Sequence, residues 1–474
     1  MRSPFRACLC AAVLLAGSGC GHDGDPPPRG RLYFPIALEQ SPDFDADGKS
    51  DFLVVANSNF DLRYRSGSLQ AYDLNVLEAQ LRAHCGPLDA DERSTCGINP
   101  EEDDDRDDLT EEILVVPGLL RSEVLVGSFA DGIDSAASGD GVRFYLPVRS
   151  DGDLTYADLG ADGALDCGDT PSSAAFDGER HECTDDHREA EDGAAREDGL
   201  EVPPDPIAVY AAPRPTGDGN FIVMAHRGGR LSLIWEPTAG ARPELVDVIE
   251  GYPNEIVDLQ ADPLTGNLWL PTAFETVVPR AAVALDERSE DSFLFRLSDL
   301  AVAEVDFGGS FSDTRAVRFD PRTDVRRAYV LSRRPASLWV VDLEESVGRL
   351  RVREALPVGA GASRMEVSSF AAHGDRTLAF VTGFDSRELR VFDVDSAQAV
   401  GIVRGIGGPF EVTVDEARDL VYIADFRSSV LRVIDLAPMF ECLDGLMDGE
   451  GVEDQCSPLS LGTVGRPRAV QELI

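Results

Sequence analysis

The chain has 474 residues and sets 86 acidic against 43 basic side chains, a formal charge of -43, with Lys49 as its one lysine. Such a surplus of carboxylates argues against nucleic acid and anionic lipid as partners, because phosphate recognition draws its affinity from excess Lys and Arg. Cations and basic surfaces remain open to it.

At the start, Arg2 and Arg6 precede an apolar run, Ala7 to Ala16, that is too short to span a bilayer, and Gly17-Ser18-Gly19-Cys20 follows as a small-residue cleavage site. This arrangement resembles a bacterial lipoprotein signal over residues 1–20, with Gly17 standing where that family usually has leucine. The resemblance implies that Cys20 becomes the lipidated first residue, and Gly21 after it implies sorting to the outer membrane. The alternative is an ordinary secretory signal with a coincidental cysteine. Residues Gly21 to Gly30, GHDGDPPPRG, read as an extended Pro-rich tether that spaces the body from the lipid without packing. No later segment has the apolar length of a transmembrane helix.

Three strands are predicted next, at Leu32–Leu38, Phe52–Asn57 and Ser68–Leu74. Between the first two lies Asp43-Phe44-Asp45-Ala46-Asp47-Gly48-Lys49-Ser50-Asp51. Carboxylates at alternate positions can wrap one cation, with Gly48 allowing the sharp turn, Lys49 offering its carbonyl and Asp51 completing the oxygen shell. The loop resembles the calcium loops of FG-GAP and dockerin-type repeats, which makes calcium the expected cofactor; it lacks the EF-hand glutamate, Val54 standing in that place. The competing reading is a solvated Asp/Gly turn. Asp158 to Asp166 repeats the pattern in weaker form and reads as a turn first.

A first insertion covers about residues 75–112, with helical spacing at Val76–Ala83 and an acidic run from Pro100 to Glu112. Strands are then expected at Glu123–Phe129, Val142–Val148 and Leu154–Leu159. A second insertion, about 160–204, has almost no large apolar residues and cannot build a core. Further strands follow at Ile207–Tyr210, Phe221–His226 and Leu231–Trp235, then at Ile256–Gln260, Leu268–Pro271 and Phe293–Leu297. A last insertion at about 440–458 precedes Leu461–Val464 and Ala469–Leu473. Six cysteines outside the leader fall into three close pairs in these loops, predicting disulfides Cys85–Cys96, Cys167–Cys183 and Cys442–Cys456 in an oxidising compartment. A zinc site from Cys167, His181, Cys183 and His187 is the minority alternative.

The organising stretch lies near the end. DEARDLVYIADFRSSVLRVIDL (Asp415 to Leu436) recurs as RTDVRRAYVLSRRPASLWVVDL (Arg322 to Leu343) and HGDRTLAFVTGFDSRELRVFDV (His373 to Val394). Each copy has a polar turn, an apolar strand, a polar gap and a strand ending in apolar-Asp-Leu or Val. A period of about 40–50 residues built only of strands is the signature of a propeller blade. Tyr422-Ile423-Ala424 with Val433-Ile434-Asp435-Leu436, and Tyr329-Val330-Leu331 with Val340-Val341-Asp342-Leu343, resemble the YVTN or YncE-like bacterial propellers over about residues 315–440. The fold class is all-β: a β-propeller of seven blades, closed by N- and C-terminal strands, in one domain from 31 to 474 with disulfide-tied acidic insertions. Since the first blade starts late in its pattern, the C-terminal strands are expected to complete it.

No nucleophile elbow, phosphate loop, haem-attachment motif or zinc-protease helix is present. The six histidines are scattered and read as surface or satisfied core residues, and Trp235, Trp269 and Trp339 as packing between blades. Arg315, Arg364 and Glu411 precede blade strands, where propeller residues often line the central channel. The leading expectation is a non-catalytic, lipid-anchored module of the cell envelope that binds an envelope protein or small ligand and is stiffened by calcium and disulfides. A hydrolase resembling the propeller lactonases is the second, and would bring Glu411, Asn254, Asp258 and a histidine to one channel mouth. A small, apolar channel would favour the binding module. The third is a structural protein whose acidic loops hold divalent cations.

Overall fold

The apolar-Asp-Leu tripeptide stops a strand for a local reason. Asp435 accepts the amide of Ala437 at 2.9 Å, Asp393 those of Asp395 and Ser396 at 3.0 Å, and Asp73 that of Val76 at 2.8 Å. A carboxylate that collects amides two or three residues ahead turns the chain out of the sheet. The next residue bonds back toward the preceding strand, Leu436 to the Asp419 carbonyl, Val394 to Thr377 and Leu74 to Asp51. Asp73-Leu74 is therefore a fourth copy, in the first blade, that the sequence pattern had not marked. The repeat tyrosines are equally local: Tyr329 donates to Asp320 at 2.7 Å and Tyr422 to Asp415 at 3.4 Å, and Arg322 and Arg418 hold the same carboxylates.

The computed structural model describes residues 24–85, 112–113, 118–168, 180–189, 200–214, 219–275, 278–289, 292–303, 313–343, 350–446 and 456–465. These residues form seven sheets that follow one another along the chain. The chain is a seven-bladed β-propeller. Each blade begins with an inner strand: Pro35–Gln40, Asp134–Ser138, Pro206–Pro213, Gln260–Ala261, Thr314–Phe319, Ala362–Phe370 and Pro409–Asp415. In blades one, three, five, six and seven the register shifts twice, once at the start of the inner strand and once between the third and outer strands. Bulges of this kind increase local twist, which fits strands arranged around an axis.

Among the described residues the core divides into seven clusters, one at each seam between neighbouring blades. The seam between blades seven and one joins Tyr422, Leu431 and Val464 to Leu38, Leu53 and Tyr72, so the ring closes. It closes by packing. Leu459–Val464 is the outer strand of blade seven, antiparallel to Val430–Asp435, and does not complete the first blade as the sequence pattern predicted. Blade one draws all four of its strands from before residue 127, its outer strand being Leu120–Val126. The expected strand Glu123–Phe129 thus belongs mostly to blade one, because the first insertion splits that blade before its last strand. Glu112–Ile113, from the same insertion, pairs parallel with Thr463–Val464 and reaches across to blade seven. In blade four only Gln260–Ala261 of the expected first strand is regular, and Val278–Ser289 is a strand that periodicity missed. Ala469–Leu473 lies outside the described residues.

The insertions do more than decorate the ring. Helix α1 (Leu74–Cys85) confirms the helical spacing read at Val76–Ala83 and buries Leu74, Leu77 and Leu81. Cys85 ends it, and Cys96 with their expected pairing lies outside the described residues. Cys167–Cys183 is formed and buried between blades one and two; Cys183 bonds the Leu125 carbonyl, and His181–Glu182 pairs parallel with Val124–Leu125. Cys442–Cys456 is also formed, and Cys456 bonds the Val400 carbonyl of blade six. Cys442 lies not in a loop but in α2 (Ala437–Gly445), which buries Met439, Phe440 and Leu443. The zinc alternative is overturned, since its two thiols are joined. The tether does pack: Pro27 and Gly30 are buried, Arg180 donates to the Pro27 carbonyl at 2.7 Å and the Gly30 amide to Glu123 at 3.2 Å.

Replacing Cys167 and Cys183 together by serine is expected to lower stability by about 3 kcal/mol, from lost loop constraint. Urea unfolding of oxidised protein measures this, and an unchanged midpoint would show that the seam holds without the bond.

Candidate functional site

Strand register builds the channel. On each inner strand one residue faces the same level of the second strand: Glu39 opposite Val54, Asp134 opposite Tyr145, Tyr210 opposite Val223, Gln260 opposite Trp269, Arg318 opposite Tyr329, Glu366 opposite Phe380 and Thr413 opposite Tyr422. This ring carries three carboxylates and one guanidinium. Glu411 and Asp258 join it in a cavity of about 110 Å³. Arg318 donates to Asp258 at 2.8 Å and to Glu366 at 3.3 Å; burial opposes its charge, and Asp258, Glu366 and Glu411 outweigh that and raise its pKa. Arg364 donates to Glu411 at 3.2 Å.

Burial in this throat disfavours ionised carboxyls. It pushes Asp134 up to about 7 although the amides of Ala211 and Ser135 bond it, and Glu411 up to about 7 against the pull of Arg364 and Arg318. Glu39 is raised well above its ordinary range by burial and by Asp134 beside it. Glu366 is raised by burial despite Arg318.

One end of the channel has the opposite character. The residue after each second strand donates its amide to the carbonyl of the residue leading into the inner strand, and that place is filled by Ser58, Arg149, Arg227, Ala273, Arg333, Phe384 and Phe426 in blade order. Of these, Arg149, Arg227, Arg333, Phe384 and Phe426, with Arg315, Arg364 and Phe410, border a cavity of about 360 Å³ lined by five arginines against two carboxylates, Asp131 and Glu255. Phe60, 52% exposed, lies edge-on to Phe426 and Phe129. Phe426 is also near Phe384 and Phe410, and Arg364 lies over the Phe410 ring at 5.2 Å. Phe426 is fixed by the fully buried Asp425, which accepts the amides of Gly407, Gly408 and Ser428 and the Nε of Arg432. A Cβ on Gly407 would collide with Ser428, so that approach requires glycine.

Arg315, Arg364 and Glu411 line the channel cavities as expected, but lie within the inner strands rather than before them. Arg149, Arg227, Arg333, Phe384 and Phe426 were missed; the signal was their shared place after the second strand, visible on aligning Ser332-Arg333, Gly383-Phe384 and Asp425-Phe426. Glu411 and Asp258 meet in the throat, while Asn254 sits beside Gly229. No histidine lines these cavities among the described residues. His226 is buried between Ser232 and the Pro204 carbonyl, and burial pushes it down to about 4; His373 stacks on Phe440 and meets Asp419. Trp269 is buried with Trp339 at the seam of blades four and five, and Trp235 packs beside that of three and four.

In the first acidic loop Asp43, Asp45 and Asp51 offer oxygens within 4.8 Å of one another, a hard-oxygen set of the kind Ca²⁺ takes. Asp47, outside this group, accepts the Lys49 amide, just as Asp43 and Asp45 accept the Asp47 amide and Asp51 that of Phe44, and the Lys49 side chain meets Glu78. Gly48, at φ +89°, makes the turn. Burial first, then Asp45 and Asp43, raise Asp51. In the second loop the Gly163 amide bonds the Gly160 carbonyl in a turn, and Asp158 pairs with Arg143. Cys20 lies outside the described residues, and no described helix is long and apolar enough to cross a membrane.

No family model and no curated protein matches this chain. Solved structures do. Hydrazine synthase of Kuenenia stuttgartiensis superposes with a TM-score of 0.50 at 12% identity, over 88% of this chain and 99% of that one. A provisionally named 6-phosphogluconolactonase of Bacteroides uniformis gives 0.45 at 13%, over 76% and 80%, and a protein of Lactobacillus plantarum 0.45 at 13%, over 78% and 84%. At such identities the likeness is one of fold alone.

Asp134 supplies a pH test. Its folded pKa lies above the unfolded value of about 4, so its contribution to stability is complete below about pH 4 and is lost as pH rises through about 7. Asp134→Asn is expected to raise stability at pH 8, on the order of 2 kcal/mol, and to change little at pH 4. Thermal melts at both values decide it.

Proposed function

We propose that the chain is a non-catalytic binding propeller of the cell envelope, held to the outer membrane by lipid on Cys20 and receiving a protein or small ligand at the channel mouth. The observation that carries this reading is the local reversal of charge. In a chain of net charge -43, the mouth gathers five arginines around the exposed Phe60 and the half-buried Phe384, Phe410 and Phe426, an arrangement that suits a ligand. The two buried disulfides favour an oxidising compartment, consistent with export. Capture of envelope components on purified protein is the test: Phe60→Asp, at an exposed position, is expected to lose what the wild type retains at the mouth. Identical captures by both would remove the mouth from this role.

Calcium is part of the same reading, with Asp43, Asp45 and Asp51 as its holders. Adding calcium is expected to raise the melting temperature, and Asp43→Ala with Asp45→Ala to abolish the gain. A gain that survives both substitutions would put the ion elsewhere.

A lactonase-like hydrolase is the second reading, favoured by Glu411, whose carboxyl at about 7 suits proton transfer at neutral pH. Against it, Glu411 and Asp258 are each held by an arginine. Lactone hydrolysis that disappears in Glu411→Gln would establish the enzyme and displace the binding module.

A further inference from the structure

Three arginines occupy equivalent places at the mouth, after the second strands of blades two, three and five. Two are neutralised locally: Arg149 meets Asp131 at 3.1 Å and Arg227 meets Glu255 at 2.9 Å. Arg333 has no carboxylate partner within ion-pair distance among the described residues. Its Nε donates to the Ala362 carbonyl at 3.0 Å, which orients the guanidinium and leaves its charge in place. Asp313, whose carbonyl accepts the Arg333 amide, has its carboxylate on Arg315 at 2.9 Å. Arg333 is half-buried beside two further cations, Arg315 and Arg364, and burial followed by Arg315 lowers its pKa. Asp313 and Asp385 offset this in part without reaching ion-pair distance, and a half-buried guanidinium with no direct carboxylate partner is relieved by an anion. In the next two blades the same place is held by Phe384 and Phe426, whose ring centroids are 6.1 Å apart, with Phe410 5.9 Å from Phe426. Cation and aromatic wall therefore share one cavity of about 360 Å³, a size suited to a small molecule.

We propose that the mouth binds a small organic anion, its carboxylate seated on Arg333 between Arg315 and Arg364 and its flat apolar body against Phe384, Phe410 and Phe426. The planar guanidinium fork matches a carboxylate with two parallel hydrogen bonds. The phenylalanine faces take a ring edge-on or offset, as aromatic pairs prefer. Below the mouth, Glu411, Asp258 and Glu366 already hold Arg364 and Arg318, so the throat adds no free cation and the charged head stays at the rim. This assignment rests on the binding-module reading and narrows it to one class of ligand.

Titration calorimetry of the purified chain with 2-naphthoate, 2-naphthyl phosphate and uncharged 2-naphthol tests it. The naphthoate is expected to bind, more tightly than the phosphate and at least tenfold more tightly than the naphthol, and more weakly as salt rises. Arg333→Gln is expected to weaken naphthoate binding about tenfold or more, Arg333→Lys to restore it in part, and Phe384→Leu to weaken naphthoate while leaving the thermal melt unchanged. Equal affinity for naphthoate and naphthol, tighter binding of the phosphate, no naphthoate binding, or full affinity in a folded Arg333→Gln variant would each overturn the assignment. Envelope capture lost in Phe60→Asp alongside any of those results would leave the binding module standing without this ligand. Lactone hydrolysis dependent on Glu411 would remove the module itself.

Discussion

A four-stranded sheet with apolar side chains on both faces cannot bury either face by itself, and that constraint organises the molecule. Each of the seven core clusters lies between two blades. A blade is thus stable only with neighbours on both sides, and an open array would leave two apolar faces in water. The seam of blades seven and one removes them. There Tyr422, Leu431 and Val464 meet Leu38, Leu53 and Tyr72 directly, and Glu112–Ile113 of the first insertion adds a short parallel strand to the sheet of blade seven.

The insertions act on the same seams from outside. The Cys167–Cys183 loop ties the edge of blade one to blade two, the Cys442–Cys456 loop links blades six and seven, and Glu112–Ile113 joins the first insertion to the last blade. All three lie on the arc from blade six through blade one to blade two, which contains the closure point. A ring gains most from cross-links there, since opening would begin where the chain is discontinuous.

Closure also creates the site. Seven inner strands converge on an axis where side chains have no apolar partner, so the channel can hold charge that would be costly between blades. The register then separates that charge by level. Glu39, Asp134 and Glu366 fall on one ring around Arg318, whereas the arginines and phenylalanines occupy the turns one level out. Arg364 joins the two levels through Glu411.

Much of this was legible in the residues. The three repeats made the blades legible, because alternation and the capping Asp of the tripeptide act within a few residues. The cysteine pairs at 167–183 and 442–456 were readable because their loops are short. The split of blade one was not readable, since Leu120–Val126 alternates like any strand and its partner Gly67–Asp73 lies beyond a long insertion. Nor was α2, whose short apolar face looked like a loop until Phe440 met Phe370 and His373. The mouth shows the same limit most clearly: composition and local pattern belong to the sequence, but Arg333, Phe384 and Phe426 stand one per blade and become a site only when closure brings equivalent positions of different blades around one axis. Local hydrogen bonds determined the blades; long-range packing alone decided which side chains share a cavity.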